Sequence, residues 1–570
     1  MSAAGNGEQC RIGVFVCHCG RNIAGYLDTA AVAEYARTLP GVVFVSENHY
    51  SCSEPGMKEL SRAIREEHLT RVVVAACTPR THEPLFRKTC AEADLNPYLF
   101  EFVNIREQCS WVHSQDRAAA TCKAKDLVRM GVAKAALLEP ADEIQVEVTP
   151  AALIIGGGVA GISAAVSLAR RGFPVCIVER EKELGGRLQD LNLVYPVAEK
   201  ADDLRTRLQK NVATYDKIEV LTNARVTAVN GFIGNFEVEI EQGRKTLARK
   251  VGTIIVATGA DILVPEGMYG YDGRQVITQL ELEDRLRAGS CEAKSVAMIQ
   301  CAGARNEERP YCSKICCFTA LKNAMQLKEA QPDRPVYILY RDLQTHGLKY
   351  EEFLNEAREK GIQFVRYSAE DPPQVTGGEI RVRDLNLNRE LTLTVDMVVL
   401  STPLVPRQDT RELSHLLRVP VGENGFLLEA HAQLRPVEFA TDGVYICGAA
   451  LWPADISESI FQAQAAAAKA AIPMGQGTVS VEPVTCQVRP ELCRGCGLCE
   501  TICEYHAPGL TVQQNGTRVA AINEVLCKGC GTCAAMCPTN AIVARQFTDR
   551  QLLSMLTTAL QDWQTPAVKE

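Results

Sequence analysis

Short β-type apolar runs recur along the chain, at residues 12–16, 42–45, 71–76, 152–155, 175–178, 296–299 and 336–340. Segments with helical periodicity lie between them, among them 118–138. Strand-sized runs alternating with helix-sized stretches predict α/β modules with parallel sheets. Near residue 480 this alternation gives way to a short cysteine-dense segment. A last amphipathic helix over 551–560 gathers Leu552, Leu553, Leu556 and Leu560 on one side. A tail helix of this kind is expected to pack on its own domain.

The patterns divide the 570 residues into several domains, as the usual size of about 150 residues each also suggests. Residues 1–145 form an N-terminal α/β domain. Residues 150–291 and 397–475 carry nucleotide-binding signals, and 292–396 read as an insertion between them. Residues 480–545 form a small cysteine-rich domain, and 546–570 a helix and tail.

Composition changes this picture in two ways. A net charge of −8 supplies no basic field for phosphate neutralisation, so a nucleic-acid partner is not expected. The 24 cysteines are far more than an ordinary soluble chain holds. They lie in short clusters beside nucleotide-binding signals, and the opening residues show no secretory leader pattern, so metal ligation in a reducing, cytoplasmic compartment is expected rather than disulfides. No membrane span is expected either; the run at 152–169 is apolar, but its glycines have another explanation.

The apolar run 152–155 leads directly into Gly156-Gly157-Gly158-Val159-Ala160-Gly161. Gly156 permits the tight turn, Gly158 lets backbone amides approach a pyrophosphate, and Gly161 allows a helix to pack closely on the strand. The helix N-terminus then favours phosphate charge. Glu179 ends the next strand at the spacing of a ribose-binding carboxylate, with Arg180 beside it. Gly186 and Arg187 follow in a Glu-Leu-Gly-Gly-Arg run, and Ala257-Thr258-Gly259 closes a later strand. Together these resemble two-dinucleotide-binding flavoproteins of the thioredoxin-reductase type, and so imply FAD. In that likeness Val226 contacts adenine through its backbone, and Gly448-Ala449 reaches the flavin ribitol. The acidic residue usual after that glycine is missing, and Asp455, with Ile456 after it, stands in.

Cys493-x2-Cys496-x2-Cys499-x3-Cys503 and Cys527-x2-Cys530-x2-Cys533-x3-Cys537 form a tandem ferredoxin pair. In this arrangement the fourth cysteine of each run crosses to the other cluster. Cys493, Cys496, Cys499 and Cys537 are therefore expected to hold one [4Fe–4S] cluster, and Cys527, Cys530, Cys533 and Cys503 the other. A second constellation, Cys301, Cys312, Cys316 and Cys317, stands where a nicotinamide-binding glycine loop belongs. It reads either as a redox disulfide or as the ligand set of a third cluster. In the N-terminal domain Cys17, Cys19 and Cys77 follow strands, so a parallel sheet would bring them to one edge; Cys52 and Cys109 lie in loops nearby. These five read equally as ligands and as structural thiols.

Residues 16–20 (Val-Cys-His-Cys-Gly), 75–84, 104–111, the flavin loop, 311–317 and the tandem ferredoxin together resemble the A-type subunits of heterodisulfide reductase, and the likeness covers nearly the whole chain. It implies FAD, a cluster in the N-terminal domain and an unusual cluster at Cys301, Cys312, Cys316 and Cys317. It implies a hetero-oligomer with the B- and C-type subunits, a hydrogenase or dehydrogenase electron donor, and ferredoxin. It also implies flavin-based electron bifurcation from a two-electron donor to ferredoxin and a disulfide-type acceptor. Methanogen members hold a further ferredoxin insert, but no C-x2-C-x2-C run occurs between Gly186 and Cys291, so this chain reads as a shorter form. Lys349 is the expected cation near the reactive flavin edge. The rival readings are an electron conduit without bifurcation, a stand-alone NAD(P)H-dependent disulfide reductase, and a cluster carrier.

Overall fold

The structure is a computed structural model describing residues 10–195, 199–347 and 349–560. The chain forms two compact units, one made of the residues through Ile144 together with those from Ser480 onward, the other of Gln145–Val479.

In the first unit a parallel four-stranded sheet runs in the order Val42–Asn48, Ile12–Cys17, Arg71–Ala76, Phe100–Asn104. Every residue of Ile12–Cys17 is buried, which explains its unbroken apolar run. The chain leaves this strand toward one edge and returns on its other side through Arg71–Ala76. The crevice outside the carboxyl ends of these two strands is thus a topological switch point, where open α/β sheets place their ligands. Cys17 ends the first of the two and Cys77 directly follows the second.

The cysteine-rich segment of this unit pairs Cys486–Val488 with Ile542–Ala544 and forms a hairpin from Pro508–Val512 and Arg518–Ile522. Short helices Leu498–Ile502 and Thr532–Ala535 carry the middle of each cysteine run. The final helix Asp549–Leu560 packs on Arg117–Ala135 of the N-terminal domain, and the Gln551 amide donates to the Leu137 carbonyl at 2.9 Å. Its packed face is not the leucine face. Leu552, Leu553, Leu556 and Leu560 are 42–61% exposed, while the polar Gln551 is buried.

In the second unit the same plan occurs twice. One five-stranded parallel sheet runs Ile218–Leu221, Val175–Val178, Ala152–Ile155, Thr253–Val256, Val444–Ile446, with a three-stranded antiparallel sheet beginning at Ala224. The other runs Val276–Thr278, Met397–Leu400, Val296–Ile299, Val336–Tyr340, Gln363–Arg366, with its own antiparallel sheet beginning at Gln374. The protein is an α/β multidomain chain with a two-dinucleotide-binding core and a ferredoxin-type domain. The inserted segment begins earlier than its sequence suggests. Val276–Thr278 and Met397–Leu400 belong to the second sheet, where the two strands pair with each other, so the insertion reaches from about residue 276 to Leu400. Both runs are short and largely apolar, and such runs give no sequence signal of which sheet they join.

Candidate flavin cleft and cysteine centres

A cavity of about 480 Å³ opens over the carboxyl ends of the first sheet in the second unit. All flavin-site residues read from the sequence line it except Gly161 and Val226. Gly161 acts one layer behind: a Cβ there would lie 1.9 Å from the Gly156 carbonyl oxygen, so only glycine lets the helix Val159–Arg170 start this close to the strand. A Cβ on Gly158, in contrast, would meet only Gly186, at 3.9 Å, and the helix it precedes has no side-chain cap. Its first amides are left for an anion, which fits a dinucleotide pyrophosphate. Val226 packs against the core around Leu153 and Val178, so its side chain turns from the cleft.

The Glu179 carboxylate borders the same cleft and accepts from the Gly157 amide at 2.6 Å and the Glu181 amide at 2.8 Å. Burial lowers the pKa of the Arg187 guanidinium, which donates to the Ala260 carbonyl at 3.0 Å. Asp455 caps the helix Ile456–Gln476 by accepting from the Glu458 amide at 2.8 Å, and its other oxygen receives the Tyr350 hydroxyl at 3.4 Å.

Lys349, expected near the flavin, is exposed and does not border the cleft. It stands in a left-handed turn before the helix Tyr350–Glu359, and its neighbour Tyr350 points inward instead. The lysine on the cleft wall is Lys322. It pairs with Glu283, the two side chains being 5% and 0% exposed, and donates to the Leu193 carbonyl at 2.8 Å. Burial lowers its pKa, against the pull of Glu283. Lys322 shares a helix face with Cys316 and Thr319, which also line the cleft; this i, i+3, i+6 spacing was the available sequence signal.

Cys316 also lines a smaller pocket together with Cys301, Cys312 and Cys317. Cys301 follows the strand Val296–Ile299, while Cys316 and Cys317 open the helix Ile315–Ala330. Burial pushes the Cys316 thiol well above its usual pKa, and Cys317, Cys301 and Cys312 add to the shift in that order. The Cys317 thiol is pushed up to about 12, again chiefly by burial. Four sulfurs gathered at one pocket suit a metal centre, which takes them as thiolates. Cys301, Arg305 and Lys314 all hold positive φ, of 60°, 55° and 44°, and left-handed non-glycine residues concentrate at functional sites.

In the first unit Cys17, Cys19, Cys52 and Cys77 gather at the switch point. Burial raises the Cys77 pKa to about 11, Arg106 opposes this, and Cys19, Cys17 and Cys52 add to it. The Cys52 thiol is raised by burial and then by Cys17, and an Arg106 amino group lies 3.6 Å from the Cys19 sulfur. Cys109 stands apart from these four. Its sulfur donates to the Ala120 carbonyl at 3.0 Å, and burial alone raises it to about 11, opposed only by Lys123. Alanine at Cys109 is therefore expected to leave the iron content of the purified chain unchanged. Alanine at Cys77 is expected to remove about four irons, the content of one cubane. Anaerobic iron analysis of the two variants checks this, and equal losses from both would contradict it.

In the cysteine-rich domain Gly495, Gly497, Gly529 and Gly531 all turn the chain at positive φ between ligand positions. Backbone amides point at the sulfurs: Ala520 to Cys493 at 3.3 Å, Cys486 to Cys527 at 3.4 Å, and Ala541 to Cys537 at 3.3 Å. Cys486, which sequence spacing did not single out, is buried beside Cys527 and Cys533 and lowers the pKa of both. Among the described residues no set of three or more Cys, His, Asp or Glu side chains is arranged to hold a single metal ion. A cubane is larger, and each thiolate reaches a different corner.

Residues 150–470 match the pyridine nucleotide-disulphide oxidoreductase family and residues 492–541 the 4Fe-4S dicluster domain. The A-type subunit of the H(2):CoB-CoM heterodisulfide,ferredoxin reductase from Methanothermobacter thermautotrophicus is 39% identical over 88% of this chain and 90% of its own length. The A-type iron-sulfur subunit of the CoB–CoM heterodisulfide reductase from Methanocaldococcus jannaschii is 37% identical over 97% of this chain and 98% of its own. The chain belongs to the family of heterodisulfide reductase A-type subunits. This member of the family is an oxidoreductase, a flavin and iron-sulfur electron-transfer protein that carries FAD and, in its C-terminal domain, two [4Fe–4S] clusters. The alignment to the M. jannaschii relative spans 650 positions against a chain of 570 residues, so that relative holds segments this one lacks. No described helix is long and apolar enough to cross a membrane.

Proposed function

We propose that this chain is the electron-splitting component of a heterodisulfide reductase-type complex. Electron pairs from a hydrogenase or dehydrogenase partner would be divided between ferredoxin and, through B- and C-type subunits, a disulfide acceptor. The observation that carries this reading is Cys316, which lies on the wall of the flavin cleft and of the cysteine pocket behind it. When bound, FAD supplies the exchange between two-electron and one-electron chemistry. The chain's own residues do the rest. The amides after Gly158 would hold the pyrophosphate, and Lys322 would place a cation on the cleft wall. Cys301, Cys312, Cys316 and Cys317 would hold a cluster as the first one-electron exit, and Cys17, Cys19, Cys52 and Cys77 another in the N-terminal domain. Tyr195, on the cleft wall, stacks on Phe318 of the helix that carries Cys316, with ring centres 5.2 Å apart.

The names of relatives support the reading, since they join a heterodisulfide with ferredoxin and with H(2), formate or F(420)H(2). The four exposed leucines of the final helix suit assembly with other subunits. The segments missing from this chain favour a second reading, a conduit that passes electrons to one acceptor. The purified complex decides between them. Reduction of ferredoxin and of disulfide in equal electron amounts, each stopping when the other acceptor is withheld, is the expected result. Full reduction of either acceptor alone would establish the conduit.

A further inference from the structure

The pocket of Cys301, Cys312, Cys316 and Cys317 is lined by two polar side chains that each keep a buried hydrogen-bonding group unpaired. Gln300 is 0% exposed and lines the pocket, and neither its Nε2 nor its Oε1 has a partner. Arg305 lines it too. Its Nη2 donates to Asp342 at 2.8 Å, but its Nη1 is buried without a partner. A buried polar group left unpaired costs about 1–3 kcal/mol, so two side chains in this state at one pocket need an explanation.

The backbone that carries both side chains is held in place. The Tyr367 hydroxyl donates to the Gln300 carbonyl at 2.6 Å, and the Arg341 guanidinium donates to the Ala304 and Arg305 carbonyls at 2.6 and 3.0 Å. Arg341 and Tyr367 each directly follow a strand of the second sheet, so the sheet itself fixes the loop that aims both donors.

We propose that Gln300 Nε2 and Arg305 Nη1 donate hydrogen bonds to the sulfurs of a cluster held by these four cysteines and thereby raise its reduction potential. The inference rests on reading the four cysteines as ligands. Reduction of such a cluster by one electron from the reduced flavin adds one negative charge and moves no proton. N–H donors and a guanidinium charge stabilise the more negative, reduced state more than the oxidised one. The cluster bordering the flavin cleft then takes an electron more readily than the same four thiolates alone would allow.

The test uses the full chain, purified anaerobically, with iron and FAD counted before a potentiometric titration followed by electron paramagnetic resonance. The signal lost in Cys312→Ala identifies the cluster. In Gln300→Met and in Arg305→Met that signal is expected to persist with its midpoint lowered by at least 59 mV, a tenfold change in the reduced-to-oxidised ratio for a one-electron couple. The signals of the C-terminal clusters should not move. If Gln300→Met fails to hold its iron, Gln300→Asn, which withdraws the same amide by one methylene, must show the downward shift. Full iron with an unmoved midpoint overturns the inference. Cys312→Ala protein with the iron and signals of the unaltered chain overturns instead the reading of the four cysteines on which it rests.

Discussion

A Cys316→Ala chain will retain FAD, lose about four irons, and pass electrons from its reduced flavin to the remaining clusters far more slowly. The thiol is shared by the cleft and the cysteine pocket, and burial holds its pKa high, so its loss removes both a proposed ligand and a sulfur on the wall of the flavin site. Alanine is the informative replacement, because serine can still ligate iron through its oxygen. The binding residues for FAD are elsewhere, on the glycine loop and around Glu179, so the flavin absorbance should survive. Iron analysis and stopped-flow absorbance on the anaerobic chain read the two effects separately: flavin reduced by a chemical donor should reoxidise into the protein's clusters at least about a hundredfold more slowly, a barrier increase near ~2.7 kcal/mol. Unchanged iron with unchanged transfer would make the thiol structural and return the pocket to the disulfide reading.

What was legible in the sequence depended on how local the determining physics is. The ferredoxin runs could be read because their ligands sit three and four residues apart, a spacing that one turn of chain converts into geometry. The glycine loop could be read because its requirements are steric and consecutive: a Cβ at Gly156 would lie 2.4 Å from the Ala257 carbonyl oxygen. The N-terminal set was only half legible. Strand-end logic brought Cys17, Cys19 and Cys77 to one edge, but Cys109 also comes after a strand, and only its bond to the Ala120 carbonyl removes it from the group. The expectation of Lys349 at the flavin edge rested on its place after a strand and a helix, and the structure puts Lys322 on the cleft wall instead. Proximity in sequence to an apolar run says nothing of direction, and a left-handed turn of φ 72° at Lys349 decides it. The final helix shows the same limit, since its apolar stripe could be seen in the sequence but not that a polar face, centred on Gln551, is the one that packs.

Removing the Lys322 charge alone is expected to destabilise the flavin-binding unit strongly, and removing it together with its partner is not. Glu283 is fully buried, and besides Lys322 its carboxylate accepts from the Asn192 amide at 2.9 Å. Lys322 in turn donates to the Leu193 carbonyl, so the pair clamps the 192–193 segment beside the cleft. Lys322→Met leaves an uncompensated carboxylate in the core, a change that costs about 3–5 kcal/mol. For a unit of this size that corresponds to a drop of roughly 4–7 °C in Tm. In Lys322→Met/Glu283→Gln no buried charge remains, the Asn192 amide keeps an acceptor, and most of the loss should be recovered, because a buried pair replaced as a whole is often neutral. Calorimetry on the three proteins checks this, and equal losses in the single and double variants would show that the pair's attraction outweighs its burial cost. The stable double variant then removes the whole pair, of which Lys322, the positive end, is the member that borders the cleft. With that nearer positive end gone from the wall, the negative charge that reduction adds to a bound flavin is less well stabilised, and the flavin midpoint should fall by about 30 mV or more, a tenfold change for a two-electron couple. A midpoint that stays in place while Tm is restored would reduce Lys322 to a structural clamp.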